Sequence, residues 1–219
     1  VNTLKPLLAL YLGSLPSSKK ENKYTDEGQR PVKGIVEATI FKGAAKQSQV
    51  RLIFTGEAPF SQTENLKIKA LMDALNIKLI EKLREDMGGI YGGGMGGMIL
   101  NRPYNHYTIT VSFPCGPENV EKLTAATLEL LKNAQTNGIE ESYLNKVKET
   151  MRKQNQDQLK QNEYWLEGLG TTWLENTDPI WILDYTKKVD DLTTKDLQST
   201  ALKYFDMNNY IKAVLNPEK

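Results

Sequence analysis

The feature that most constrains this chain is a change of backbone regime near residue 88. Before it, Ile68, Leu71, Leu75, Leu79, Leu83 and Met87 recur at three- or four-residue steps, the period of one helix face. After it, Gly92, Gly93, Gly94, Gly96 and Gly97 crowd into a few positions. A helix of that length needs a layer to bury its apolar stripe. A glycine-rich extended segment has few side chains to pack, and glycine inside a strand marks a bulge or the close passage of another backbone. Ser61 with Glu64 three positions on signals the helix start, and Gly88-Gly89 supplies its stop. The junction reads Leu83-Arg84-Glu85-Asp86-Met87-Gly88-Gly89-Ile90-Tyr91 and holds two polar groups. Arg84 is a planar cation with five donors, and Tyr91 a phenol that donates or accepts. From physics alone Arg84 complements the helix dipole or serves a ligand. Tyr91 is likewise either a half-buried strand aromatic or a ligand group.

The remaining periodicities order the chain around that junction. Leu4, Leu7, Leu8, Tyr11 and Leu12 mark a short amphipathic helix closed by Gly13 and Pro16, and a polar stretch from Ser17 to Arg30 follows. Ile35 to Phe41 and Val50 to Thr55 read as strands separated by a turn, and are expected to pair with each other antiparallel. Beyond the glycines, Asn101-Arg102-Pro103 makes a turn. Tyr107, Ile109, Val111 and Phe113 then alternate with His106, Thr108, Thr110 and Ser112 in a strand buried on one face. Pro117 opens a helix carrying Val120, Leu123, Thr127, Leu130 and Leu131, which Asn137-Gly138 closes. Leu144, Val147 and Met151 continue the helical pattern before a solvated run from Arg152 to Asn162. Trp165, Leu169 and Trp173 fall at four-residue intervals and are expected in the core, and Ile180, Trp181, Leu183 and Tyr185 anchor a closing layer. Thr193 with Asp196 caps a last helix, with Leu192 and Leu197 stapled across it, and Tyr210 to Leu215 is a final strand. This order is α+β: a mainly antiparallel sheet covered by helices on one side.

Composition removes several function classes. Twenty-eight basic residues against 27 acidic ones leave a net charge of +1, so no nucleic-acid or membrane footprint is expected. No apolar run approaches the ~20 residues of a membrane span. An RNA-recognition reading fails because the middle strands lack stacking aromatics and a basic groove. A phosphate loop fails because no Lys-Ser or Lys-Thr follows the glycines, which come after a helix instead of opening one. The lone Cys115 forms no internal disulfide and has no basic neighbour in sequence to activate it. The lone His106 cannot make a histidine-pair metal site. Without histidines, Glu81 and Glu85 read as exposed charges.

The junction, as Leu-Arg-Glu-x-x-Gly-x-x-Tyr, resembles the segment that zinc metallopeptidases of the pitrilysin and insulinase family, mitochondrial processing peptidases among them, carry in their metal-free C-terminal half. The strand Gln49-Val50-Arg51-Leu52-Ile53-Phe54 and Leu12-Gly13-Ser14-Leu15-Pro16 agree with that family in order and spacing. The resemblance implies the LuxS/processing-peptidase-like α/β sandwich of metallopeptidases. It divides the chain into residues 1–20, a helix ending a preceding α/β unit; 21–31, a crossover loop; and 32–219, the C-terminal peptidase-like domain. It implies that Arg84 grips a substrate carbonyl, that the Tyr91 hydroxyl supports the transition state, and that Gly92, Gly93 and Gly94 belong to a substrate-facing strand. Zinc and the general base come, in the family, from an inverted His-x-x-Glu-His helix in the N-terminal half. That helix is absent here. Zinc is therefore expected in the full-length enzyme, and the partners are a zinc-binding N-terminal half, in the same chain or a partner subunit, and a peptide substrate. This fragment alone is not expected to hydrolyse peptides. A catalytically inactive scaffold or peptide-binding subunit of the same fold is the alternative. Beginning at Val1 without an initiator methionine, the chain reads as a mature or excised piece, with any signal peptide upstream and the compartment open between periplasm and cytoplasm.

Overall fold

The computed structural model describes residues 1–18, 25–82 and 92–218. In chain order its elements are α1 (Leu4–Tyr11), β1 (Ile35–Phe41), β2 (Ser48–Glu57), α2 (Gln62–Ile80), β3 (Gly94–Leu100), β4 (His106–Cys115), α3 (Val120–Thr136), α4 (Glu141–Gln158), α5 (Asn162–Leu174), α6 (Ile180–Asp190), α7 (Thr194–Tyr204) and β5 (Tyr210–Asn216). A 3-10 turn at Pro117–Asn119 leads into α3.

Alternation builds the sheet. Along β4, Tyr107, Ile109, Val111, Phe113 and Cys115 are buried and the residues between them half-exposed, and β2 buries Val50, Leu52 and Phe54 in the same way. The two strands pair antiparallel from Ser48 opposite Cys115 to Glu57 opposite His106, which puts all these apolar side chains on one face. The whole sheet runs β1-β5-β2-β4-β3, with one parallel pair, β1 with β5. The antiparallel pairing expected between β1 and β2 is therefore wrong. The C-terminal strand inserts between them, Ala213 lying opposite both Ala38 of β1 and Arg51 of β2. Glu37 on β1 faces Lys212 on β5, whose ammonium is buried and held by both carboxylate oxygens of Glu121 on α3 at 2.8 Å.

Helices cover the apolar face. α2 lies against β3 on one side and against α4 and α7 on the other. Its burial is therefore wider than the single stripe read from the sequence: Leu66, Ala70, Met72 and Ala74 join Ile68, Leu71, Leu75 and Leu79. Edge-on aromatic pairs bind the layers, Phe54 to Phe205 at 5.2 Å and Tyr107 to Tyr204 at 5.0 Å. The capping box read at Thr193 and Asp196 is formed in both directions.

Two elements depart from expectation. On α5, Trp173 is 84% exposed and Leu169 is exposed with it, so they are not core. That helix buries Thr172 instead, while Trp165 is half-buried with its indole donating to Leu159 O at 2.9 Å. A four-residue spacing establishes that side chains share a face but says nothing of which way the face turns. On α6 the buried residues are Ile182 and Val189, with Ile180 and Leu183 facing outward.

Candidate functional site

The site begins at α2. Ser61 accepts from Glu64 N at 3.2 Å and starts the helix, while the Glu64 carboxylate receives Lys203 at 2.7 Å and the Tyr204 hydroxyl at 2.8 Å, tying that end to α7. The other end is tied to α4. Lys78 pairs with Glu140 at 2.6 Å, and Glu81 accepts from the Tyr143 hydroxyl at 2.6 Å. That hydrogen bond pushes the Tyr143 phenol up to about 12, and the Lys78 ammonium holds the Glu140 carboxyl below its ordinary range. Glu81 is thus a half-buried structural acceptor, where the sequence reading has an exposed charge. Arg84 and Tyr91, with Leu83, Glu85, Met87 and Gly88-Gly89, lie outside the described residues.

From Gly92 onward the glycines have different reasons for being glycine. Gly93 has φ +144°, in the region that L side chains avoid, and a Cβ there would sit 2.8 Å from Phe113 Cβ. Gly97 is pressed on β4: its Cβ would fall 2.5 Å from Ile109 Cγ1. At Gly94 a Cβ would meet Asn76 Oδ1 at 3.4 Å, an ordinary contact. Gly92 and Gly96 have open space where a side chain would go. The fold therefore accounts for Gly93 and Gly97 and leaves Gly92 and Gly96 free for another backbone to approach.

Gly94 and Gly96 lie on the sheet face opposite the helices. There Gly96, Met98, Leu100 and Arg51 are exposed, beside the half-buried row of Thr108, Thr110 and Ser112. Two asparagines of α2 hold β3 from its outer edge, and sequence reading missed both. Asn76 accepts from Met95 N at 2.6 Å and donates to Met95 O at 2.9 Å; Asn65 accepts from Ile99 N at 2.6 Å and donates to Ile99 O at 3.1 Å. The available signal was two carboxamides on one helix, too common a pattern to single out.

Neither the lone His nor the lone Cys belongs to a cluster of metal-ligand side chains among the described residues. The ring of His106 lies 4.5 Å from that of Tyr104, stacked on it, with Nδ1 2.7 Å from Tyr104 O. Cys115 is buried, and burial pushes its thiol up to about 11, which keeps it protonated and unreactive. Among the described residues no group of three or more His, Cys, Asp or Glu side chains is placed to hold a metal ion.

The family model described as "Peptidase M16 inactive domain" matches residues 1–151. The chain belongs to that family. The match bears out the resemblance read from the sequence, to the C-terminal half of these peptidases. No match was found among curated protein sequences. Solved structures of low sequence identity share the fold. The periplasmic protease PqqL from Escherichia coli superposes with TM-score 0.84 at 18% identity, over 99% of this chain and 24% of its own. A protease from Helicobacter pylori gives 0.80 at 18%, over 99% of this chain and 52% of its own. A peptidase M16 inactive domain from Pseudomonas fluorescens gives 0.70 at 14%, over 87% and 46%. This M16 domain thus spans about a quarter to a half of the length of the chains it superposes on.

Proposed function

We propose that this M16 domain is the non-metal-binding half of a zinc metalloendopeptidase, supplying substrate contacts to an active site whose metal is held by an N-terminal half. The observation that carries the reading is positional. In a chain of the M16 inactive-domain family, Arg84 and Tyr91 stand in sequence between the central helix α2 and the glycine-rich edge strand β3. On this reading the Tyr91 hydroxyl donates to the substrate oxygen on which negative charge develops, and Arg84 donates to a nearby peptide carbonyl. Gly92 and Gly93, which precede β3, and Gly94, its first residue, lead into the substrate-facing strand on this reading, and the unfilled space at Gly92 supports a peptide passing close. The exposed apolar face of α1 supports residues 1–20 as the end of a preceding α/β unit, followed by a crossover at 21–31 and the peptidase-like domain from 32 to 219.

The test is Tyr91→Phe in the intact protein, assayed on unstructured peptides with and without a zinc chelator. Removing a donor of this kind costs about 10²–10³ in kcat. That loss is expected with thermal stability unchanged. Normal turnover in the variant overturns the role of Tyr91, chelator-insensitive turnover in the unaltered protein overturns the zinc assignment, and absent turnover favours the scaffold.

A further inference from the structure

α5 is held in place without being buried. Its N-terminal end is tied to α4, Asn155 donating to the Tyr164 hydroxyl and the Trp165 indole to Leu159 O, both at 2.9 Å. Its C-terminal end is tied to the turn between β3 and β4, where Arg102 donates to Leu174 O at 2.6 Å and lies 3.8 Å from the Glu175 carboxylate. One side packs on α6: a Cβ at Gly168 would fall 2.9 Å from Ile182 Cδ1, and Thr172 is buried. Leu166, Leu169 and Trp173, three and four positions apart, share a different face and are exposed. Leu174, Ile180 and Leu183 are exposed with them.

The surroundings of this surface are acidic. Residues 162–186 hold five acidic side chains and no Lys or Arg. Arg102 offsets Glu175, whereas no basic side chain among the described residues forms an ion pair with Glu163, Glu167 or Asp184. Acids so placed repel both a second copy of the same face and an anionic lipid surface. Exposed apolar patches mark contact surfaces, and permanent interfaces are the more hydrophobic class, which favours a lasting neighbour over a passing peptide. Position narrows the choice of neighbour. In sequence, residues 21–31 lead into β1, at one edge of the sheet, where Ile35, Ile40 and Phe41 are exposed and a preceding unit would lie. α5 is fastened at the β3 edge, about 19 Å away across five strands. PqqL carries most of its length outside the part that superposes on this domain, so a further body is at hand in a protein of that length.

We infer that the exposed apolar surface of α5 and α6 is where the N-terminal half docks, through a surface of its own that is apolar at its centre and edged with Lys or Arg. The inference rests on the reading that such a half exists, and not on the roles given to Arg84 and Tyr91. It is tested in the intact protein, both halves present, by placing the photo-crosslinking residue benzoylphenylalanine at position 169 in place of Leu169 and locating the adduct by mass spectrometry. An adduct to the N-terminal half is expected. In the unaltered intact protein, oxidation of Trp173 by hydroxyl radicals should be suppressed relative to the urea-unfolded protein. Glu163→Lys combined with Glu167→Lys sets like charges against the basic edge and should lower the adduct yield severalfold; both glutamates are exposed, so the fold tolerates the change.

An adduct between two copies, to the unit directly before α1, or only to an added peptide substrate overturns the inference. So does a Trp173 that oxidises as fast in the folded intact protein as in the unfolded one. An undiminished adduct in the double lysine variant overturns the basic edge. Peptide turnover with and without a zinc chelator, measured on the same preparation, separates the layers. Chelator-sensitive turnover without the adduct leaves the reading of function standing and removes the docking surface, whereas the adduct without turnover keeps the surface and favours the scaffold.

Discussion

At the scale of single residues, the glycines of β3 separate what the fold demands from what it merely permits. Glycine inside a strand costs roughly 0.5–1 kcal/mol against alanine. At Gly97 that cost is unavoidable, because an alanine methyl would overlap Ile109 and the Thr108 carbonyl. Gly97→Ala should destabilise the chain by about 1–3 kcal/mol, the usual range for overpacking. Gly96 has no such neighbour, and its φ is not in the left-handed region. Gly96→Ala should therefore raise the unfolding free energy by about 0.5 kcal/mol. Should it also slow the peptide turnover proposed for the intact protein, the missing side chain serves the substrate. Parallel denaturation curves for the two variants check the contrast, and equal destabilisation by both removes it.

At the scale of elements, what was legible in the sequence is what is local. The start of α2 at Ser61 and of α7 at Thr193, and the inward set of β4, follow from side chains within four positions of each other, and the structure has them where the pattern puts them. Thr193 illustrates the strength of such signals. Its hydroxyl accepts from Asp196 N at 3.1 Å while Asp196 accepts from Thr193 N at 3.0 Å. Thr193→Ala should lower stability by about 1 kcal/mol, a fall in Tm of about 2–4 °C for a chain of this size. What was not legible is long-range. Nothing in Ile35 to Phe41 announces that residues 210–216 will insert beside them, because sequential strands are neighbours only about two times in three. Trp173 misled for a related reason: helical spacing groups side chains on a face, and tertiary packing alone decides whether that face is covered. The site proposed at Arg84 and Tyr91 was legible only by resemblance, since arginine and tyrosine have ordinary roles at such a junction, and the bonds from Asn76 to Met95 join residues 19 positions apart.

At the scale of the molecule, the apolar surface is distributed as in a part of something larger. The helix-covered face of the sheet is filled, whereas α1 buries none of its residues and exposes Leu4, Leu7, Leu8, Tyr11 and Leu12. The hydrogen bonds made by the backbone amides of Leu4, Lys5, Leu12, Gly13 and Leu15 all stay within that segment. Stability in a chain comes chiefly from apolar area removed from water, about 25 cal/mol per Å². A segment that removes so little contributes correspondingly little, although the family match begins at residue 1. Deleting residues 1–16 should therefore leave the Tm of this chain within about 1 °C, since a change of 1 kcal/mol moves Tm by about 2–4 °C at this length. The same deletion in the intact protein should lower Tm measurably if α1 completes a preceding unit there. Scanning calorimetry of both pairs decides between the outcomes. A large loss in the isolated chain means that α1 packs on this domain in solution and that the boundary drawn near residue 20 is misplaced; no loss in either removes the reason for assigning α1 to a neighbouring unit.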